Sequence, residues 1–167
     1  MPGTGGTKIA EGDTLIGIAS SGFHSNGFSL IRKLIQEDEL ELKRQCLTPT
    51  RIYVELVAQL YKKLKHSIKG IAHITGSGLL NIPRMNEKFN YHITNMPTRV
   101  EIPDFMNTIM DRSHLSINQL RTTFNMGIGL VIATDKPHEL LQELVMMGEK
   151  AWEIGQIQEG TGELIVN

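Results

Sequence analysis

Residues 126–134 (MGIGLVIAT) form an unbroken apolar run containing two glycines. It is far shorter than the ~20 residues a membrane-crossing helix needs. It is also too uniformly apolar for a strand with one wet face, so it reads as a central strand of a sheet covered on both sides. A chain that holds such a strand must supply other strands beside it and covering elements above and below.

The rest of the chain supplies them. Residues 14–19 (TLIGIA) and 68–74 (IKGIAHI) are short runs rich in β-branched residues and bounded by turn signals, as expected of strands. After the first, Phe28, Leu30, Ile31, Leu34 and Ile35 recur at helical spacing, predicting a helix of about ten residues from near Gly27, with Ser25 or Asn26 as its cap. Thr48-Pro49 reads as the start of a second helix whose buried face is Ile52, Leu56, Val57, Leu60 and Leu64. Residues 90–94 and 98–102 look like shorter strands, and Pro103-Asp104 opens a brief helix toward Met110. Ser116 with Gln119 matches a capping box, Asp135 and Pro137 begin a helix ended by Gly148, and residues 152–157 and 163–166 close the chain as strands. The expected fold class is α/β of the α+β type, a mixed sheet with helices packed on its faces. Residues 1–11 read as a flexible amino-terminal segment or an expression remnant and 12–167 as one domain; the Gly/Thr-rich start lacks the spacing of a phosphate loop.

With 17 basic against 18 acidic residues, nothing favours a general electrostatic grip on nucleic acid or a membrane surface, so no partner of either kind is expected. Cys46 is the single cysteine, which excludes an internal disulfide and suits a reducing compartment; a cytoplasmic location is expected. The histidines show no pair spaced as metal ligands on one helix face, and no metal site is expected.

Three polar segments stand where a sheet presents ligands. Ser20 to Gly27 fills the turn between a strand and a helix, where unpaired backbone N–H groups can hold phosphate without a lysine, and His24 adds an imidazole. His73 is followed by Thr75-Gly76-Ser77-Gly78, whose glycines let backbone approach a ligand closely, and Arg84 can offer a bidentate grip. Asn125 and Gly127 precede the central strand. The bland alternatives stay open from spacing alone: helix caps in the first segment, a core histidine in the second, a turn in the third.

The ordered set narrows the choice. Ser21-Gly22-Phe23-His24-Ser25-Asn26-Gly27-Phe28-Ser29-Leu30 resembles the Ser-Gly-x-His-Ser-Asn-Gly-Tyr-Ser-Leu signature of the aminoimidazole ribonucleotide synthetase family. Thr48 to Tyr53 echoes that family's Ala-Pro-Thr-Arg-Ile-Tyr, His73 to Gly78 its His-x-Thr-Gly-Gly-Gly, Asn81 to Arg84 its Asn-Ile-Pro-Arg, and Thr122 to Gly127 its Arg-Thr-Phe-Asn-x-Gly. Ser77 replaces the middle glycine, the path to Asn81 is one residue shorter, and Thr122 stands at the arginine, with Arg121 one position earlier.

The resemblance implies the fold of that family's carboxy-terminal domain and a share in the ATP-dependent closure of formylglycinamidine ribonucleotide to aminoimidazole ribonucleotide in purine biosynthesis. It implies that ATP and Mg2+ are held mostly by an amino-terminal domain outside this chain, that the complete enzyme is a homodimer, and that this chain alone is inactive and binds no cofactor tightly. It places His24 and His73 as proton-transfer residues. Ser21, Gly22, Ser25, Asn26, Gly27, Thr75, Gly76, Ser77, Gly78, Arg84, Asn125 and Gly127 then contact a phosphoribosyl substrate or the transferred phosphoryl group. Two rival readings are another ATP-using member of the same superfamily, such as formylglycinamidine ribonucleotide synthetase, and a non-catalytic domain that binds a phosphorylated metabolite or a partner protein.

Overall fold

The computed structural model describes residues 6–167. Its elements, in chain order, are β1 (Thr14–Ala19), α1 (Phe28–Leu34), α2 (Leu40–Cys46), α3 (Val54–Leu64), β2 (Ile68–His73), two 3-10 turns (Gly78–Asn81 and Pro83–Met85), β3 (Phe89–Ile93), α4 (Asp104–Ser113), α5 (Ile117–Thr123), β4 (Ile128–Thr134), α6 (Pro137–Met146), β5 (Ala151–Glu159) and β6 (Leu164–Val166). The strands make one six-stranded sheet in the order β2-β4-β1-β5-β3-β6. All neighbours are antiparallel except β3 and β6, so the sheet is mixed, as expected.

The apolar run at the start of the argument becomes β4, buried at every position and paired on both sides, to β2 and β1. Its alternate side chains enter two separate cores. Val131 and Ala133 join Leu15, Ile154 and Ile157 on one face, which is covered by Leu79, Ile82 and Met85 of the 3-10 turns and by Ile9. Leu130 and Ile132 join Ile16 and Ile18 on the other, packed against Leu56 and Leu60 of α3 and Leu140 and Leu144 of α6. A third cluster gathers α1, α2, α4 and α5 around Phe23 and Phe124, which come from two of the polar segments.

The structure differs from the sequence expectation at several places, among them the start of α1, capped by Gly27 with no side-chain bond and not by Ser25 or Asn26, and Ile52, which is exposed and not on a buried helix face. The helix expected from Thr48-Pro49 begins only at Val54, because residues 48–51 are drawn out by tertiary bonds described below. Leu40–Cys46 is a helix that short-range signals did not announce, and its Leu42 and Cys46 pack into the third cluster. Residues 98–102 are not a strand: Thr98 and Glu101 close a turn through both the Thr98 hydroxyl and its backbone N–H, leaving Val100 at 91% exposure. Within the segment expected to be flexible, residues 1–5 lie outside the described residues, but Gly6 and Ile9 are buried; Gly6 accepts from the side chain of Asn86 at 3.0 Å. The capping box at Ser116 and Gln119 is present as read.

Candidate active site at one end of the sheet

Antiparallel pairing brings the carboxy-terminal ends of β1 and β2 to the same edge as the start of β4. The segments following β1 and β2 and the segment preceding β4 therefore meet there, although they are remote in sequence. Two buried asparagines join them. Asn125 is fully buried; its Nδ2 donates to the Gly22 carbonyl at 2.8 Å and its Oδ1 accepts from the Gly127 N–H at 3.1 Å. Asn26, also fully buried, donates to the Phe23 carbonyl at 3.0 Å and accepts from the Gly78 N–H at 3.4 Å. Both amides bond within the protein on each side and so position the segments.

Glycine is required where these segments touch. Gly27 (φ 69°) and Gly78 (φ 55°) lie in the left-handed region, and a side chain at Gly27 would collide with the Phe124 ring. A Cβ at Gly78 would lie 2.5 Å from the carbonyl oxygens of Arg121 and Phe124. Gly76 faces open space and, with Ser77, is exposed, so this part of the second segment is free to meet a ligand. Asn81, which sequence reasoning left out of the site, organises it: one Nδ2 reaches the carbonyls of Thr75, Gly76 and Gly78 at 3.3, 3.2 and 2.7 Å. Its Oδ1 accepts from the Thr75 hydroxyl at 3.1 Å and from exposed Arg84 at 3.2 Å, which sets that guanidinium beside the segment. Thr122 is exposed and bonds back to its own helix, while Arg121 donates to the carbonyls of Val166 and Asn167 at 3.1 and 3.0 Å.

Three aromatic rings form the centre. His24, Tyr53 and His73 have centroids 5.8 to 6.4 Å apart. A bulge in the pairing of β1 with β4, where Ile18 faces Leu130 but Ala19 faces Ile128, leaves Gly129 unopposed. A Cβ there would strike the Tyr53 hydroxyl and would lie 2.7 Å from His24 Cε1, so the bulged glycine makes room for both rings on the strand. Tyr53 donates to the Ala19 carbonyl at 2.7 Å, and burial pushes its phenol above the usual range.

His73 is exposed, whereas His24 is 4% exposed and adopts a left-handed φ of 52°. Burial, then His73 and Arg51, push the His24 imidazole down to about 4. The ring is therefore neutral at physiological pH. The Ser21 hydroxyl donates to the Pro49 carbonyl at 2.8 Å. That bond, with Arg51 N–H approaching His24 at 3.4 Å, holds residues 48–51 out of helix. Ser25 is exposed at the rim.

Arg51 pairs with Glu149 at 2.5 Å and lies over the Tyr53 ring at 5.0 Å. Beside it a cavity of ≈ 410 Å³ is walled by Tyr53, Val57, Ile71 and His73. Arg51 and Tyr53 were legible as part of the Thr48 to Tyr53 motif, but nothing short of the fold placed them against His24. Among the described residues no three His, Cys, Asp or Glu side chains come together in one cluster.

The family model described as AIR synthase related protein, C-terminal domain, matches residues 10–167. The chain belongs to this family. A phosphoribosylformylglycinamidine cyclo-ligase of Clostridium tetani is 42% identical over 169 residues, covering 96% of this chain and 50% of its own length. The enzyme of that name from Clostridium perfringens is 44% identical over 163 residues, 93% of this chain and 48% of its own. The chain thus spans about half the length of these relatives. Solved structures with the same fold include thiamine-monophosphate kinase from Stenotrophomonas maltophilia, with a TM-score of 0.63 at 15% identity over 97% of this chain and 52% of that one. Hydrogenase maturation protein HypE in complex with ATP has a TM-score of 0.59 at 15% identity over 96% of this chain and 49% of that one. These two share the fold. No helix among the described residues is long and apolar enough to cross a membrane.

Proposed function

We propose that this chain is the carboxy-terminal half of a phosphoribosylformylglycinamidine cyclo-ligase, the ATP-dependent enzyme that closes the imidazole ring of formylglycinamidine ribonucleotide in purine biosynthesis. The observation that carries the reading is the 42–44% identity to cyclo-ligases over nearly the whole chain, against 15% to the kinase that shares its fold. The stitched segments support it. Gly76 and Ser77 offer exposed backbone for a phosphate, Ser25 and Arg84 border the same end of the sheet, and exposed His73 is placed to take or return a proton as the ring closes.

ATP reaches this site from an amino-terminal half, which also supplies the carboxylates for Mg2+ and the homodimer contact. The chain alone therefore binds the ribonucleotide weakly and turns nothing over. Calorimetry with formylglycinamidine ribonucleotide and ATP, on this chain and on the chain joined to the amino-terminal half of the Clostridium perfringens relative, tests this. Cyclisation only in the joined protein is the expected result. Failure to bind either ligand in either setting overturns it, and binding without turnover in the joined protein leaves a non-catalytic phosphometabolite-binding domain.

A further inference from the structure

The hydrogen bonds around His24 determine which of its nitrogens carries the proton. Nε2 receives the Ser21 backbone N–H at 3.1 Å and faces the Arg51 backbone N–H at 3.4 Å. Both groups can only donate, so Nε2 must present its lone pair. The Ser21 hydroxyl, 3.1 Å from the same nitrogen, has its own proton directed to the Pro49 carbonyl. In a neutral imidazole the proton then sits on Nδ1. That atom is buried and has no hydrogen-bond partner among the described residues.

An unpartnered buried N–H on a ring fixed by two backbone donors is unusual, because native proteins satisfy nearly all such groups. The fold has also invested in keeping it: the left-handed backbone at residue 24 and the bulge at Gly129 hold the ring between Tyr53 and the exposed His73. The Tyr53 hydroxyl donates to the Ala19 carbonyl and makes no hydrogen bond to Nδ1.

We infer that His24 serves this site as a permanently neutral imidazole whose Nδ1–H donates to an oxygen of the bound ligand, and that it does not transfer protons. The inference deepens the cyclo-ligase reading and rests on it for the ligand's chemistry, an oxygen acceptor of either the phosphate or the formyl-derived amide. Groups that bear on the ring are Tyr53 and Arg51 from the 48–53 segment and His73 from β2; Glu149, paired with Arg51, keeps that guanidinium's charge compensated. A neutral N–H donor costs no reorganisation when charge develops on an oxygen, whereas a base buried this way would have to take up a proton its surroundings disfavour.

Nitrogen-detected NMR of the imidazoles in the full chain provides the test. The expected result is a His24 ring in the Nδ1–H form that does not titrate between pH 5.5 and 9, and an Nδ1–H proton that moves downfield when millimolar formylglycinamidine ribonucleotide is added. Inorganic phosphate in a parallel titration separates the two oxygen sources: a matching shift assigns the phosphate, its absence assigns the amide oxygen, and either supports a donor role. An Nε2–H ring, or titration near neutrality, overturns the inference. Shifts in residues 21–27 and 75–78 without change at Nδ1–H overturn it while leaving the cyclo-ligase reading intact; no shift anywhere with the ribonucleotide also overturns it, and binding to the joined protein then decides the cyclo-ligase reading separately. As a second check, His24→Asn retains an N–H at the δ position and should weaken ribonucleotide binding less than threefold, whereas His24→Gln, which replaces only the ε position, should weaken it about tenfold. The reverse order overturns the donor role.

Discussion

Asn125 donates its side-chain N–H to the carbonyl oxygen of Gly22, tying together two segments 103 residues apart in sequence. Its other end accepts from Gly127, so removing the side chain strands a carbonyl and an N–H in a site that excludes water. Asn125→Ala is expected to destabilise the chain by roughly 1–3 kcal/mol, read as a lower urea midpoint at unchanged slope. Asn125→Asp should do no better, because an ionised carboxylate cannot donate to Gly22. An unchanged midpoint in both variants would show that the bond contributes nothing.

Much of this architecture is visible in local sequence, since β-branched apolar runs, the Ser116 capping box and the Pro137 start depend on neighbours a few residues away. What local signals misplace is set by distant partners. Thr48-Pro49 has every mark of a helix start, yet Ser21 and His24 pull residues 49–51 away from helical geometry. Residues 98–102 alternate like a strand, but Glu101 turns the chain back by accepting from the hydroxyl and backbone N–H of Thr98. In the site the motifs reveal which segments matter. They do not reveal that Asn26 and Asn125 are spent inside the protein, that Asn81 shapes the second segment, or that only one of the two histidines meets solvent.

The second segment gives a matched pair of glycines. Gly78→Ala must place a methyl group against the Arg121 and Phe124 carbonyls at a left-handed φ, and should cost more than about 1 kcal/mol while loosening the junction with α5. Gly76→Ala meets nothing and should change stability by less than about 0.5 kcal/mol. Equal thermal shifts for the two would contradict the packing described.

Protonation adds a signature of its own. His24 in the folded chain is pushed down to about 4 from 6.5, so above pH 6.5 the ring is neutral in both states and contributes no pH dependence. As pH falls below 6.5 the unfolded chain binds a proton that the folded chain refuses, and stability declines until about pH 4, by up to roughly 1.4 kcal/mol per pH unit. Subtracting the profile of His24→Asn from that of the parent should isolate this slope. Glu39 has the same sign in a lower window: Arg112 holds its carboxyl down to about 2, so its contribution is complete above 4.5 and is lost as pH falls toward 2. A parent-minus-variant difference that is flat between pH 6.5 and 4 would refute the assignment to His24.

Two arginines near the site should behave differently because their guanidinium groups are committed differently. Arg121 is anchored to the last two carbonyls of the chain, beside β6, and Asn167 in turn donates to Ile93 at 3.1 Å. Arg121→Met should therefore speed amide exchange at Asn167 and leave ribonucleotide binding within twofold. Arg84 is exposed and, among the described residues, bonded only to Asn81, which leaves most of its donors available next to Gly76 and Ser77. Losing one charge-assisted bond to a phosphate should cost Arg84→Met about tenfold in affinity, close to 1.4 kcal/mol. NMR titration with formylglycinamidine ribonucleotide measures both variants on one scale. A larger loss at Arg121 than at Arg84 would move the phosphate contact away from the second segment and onto the carboxy-terminal edge of the sheet.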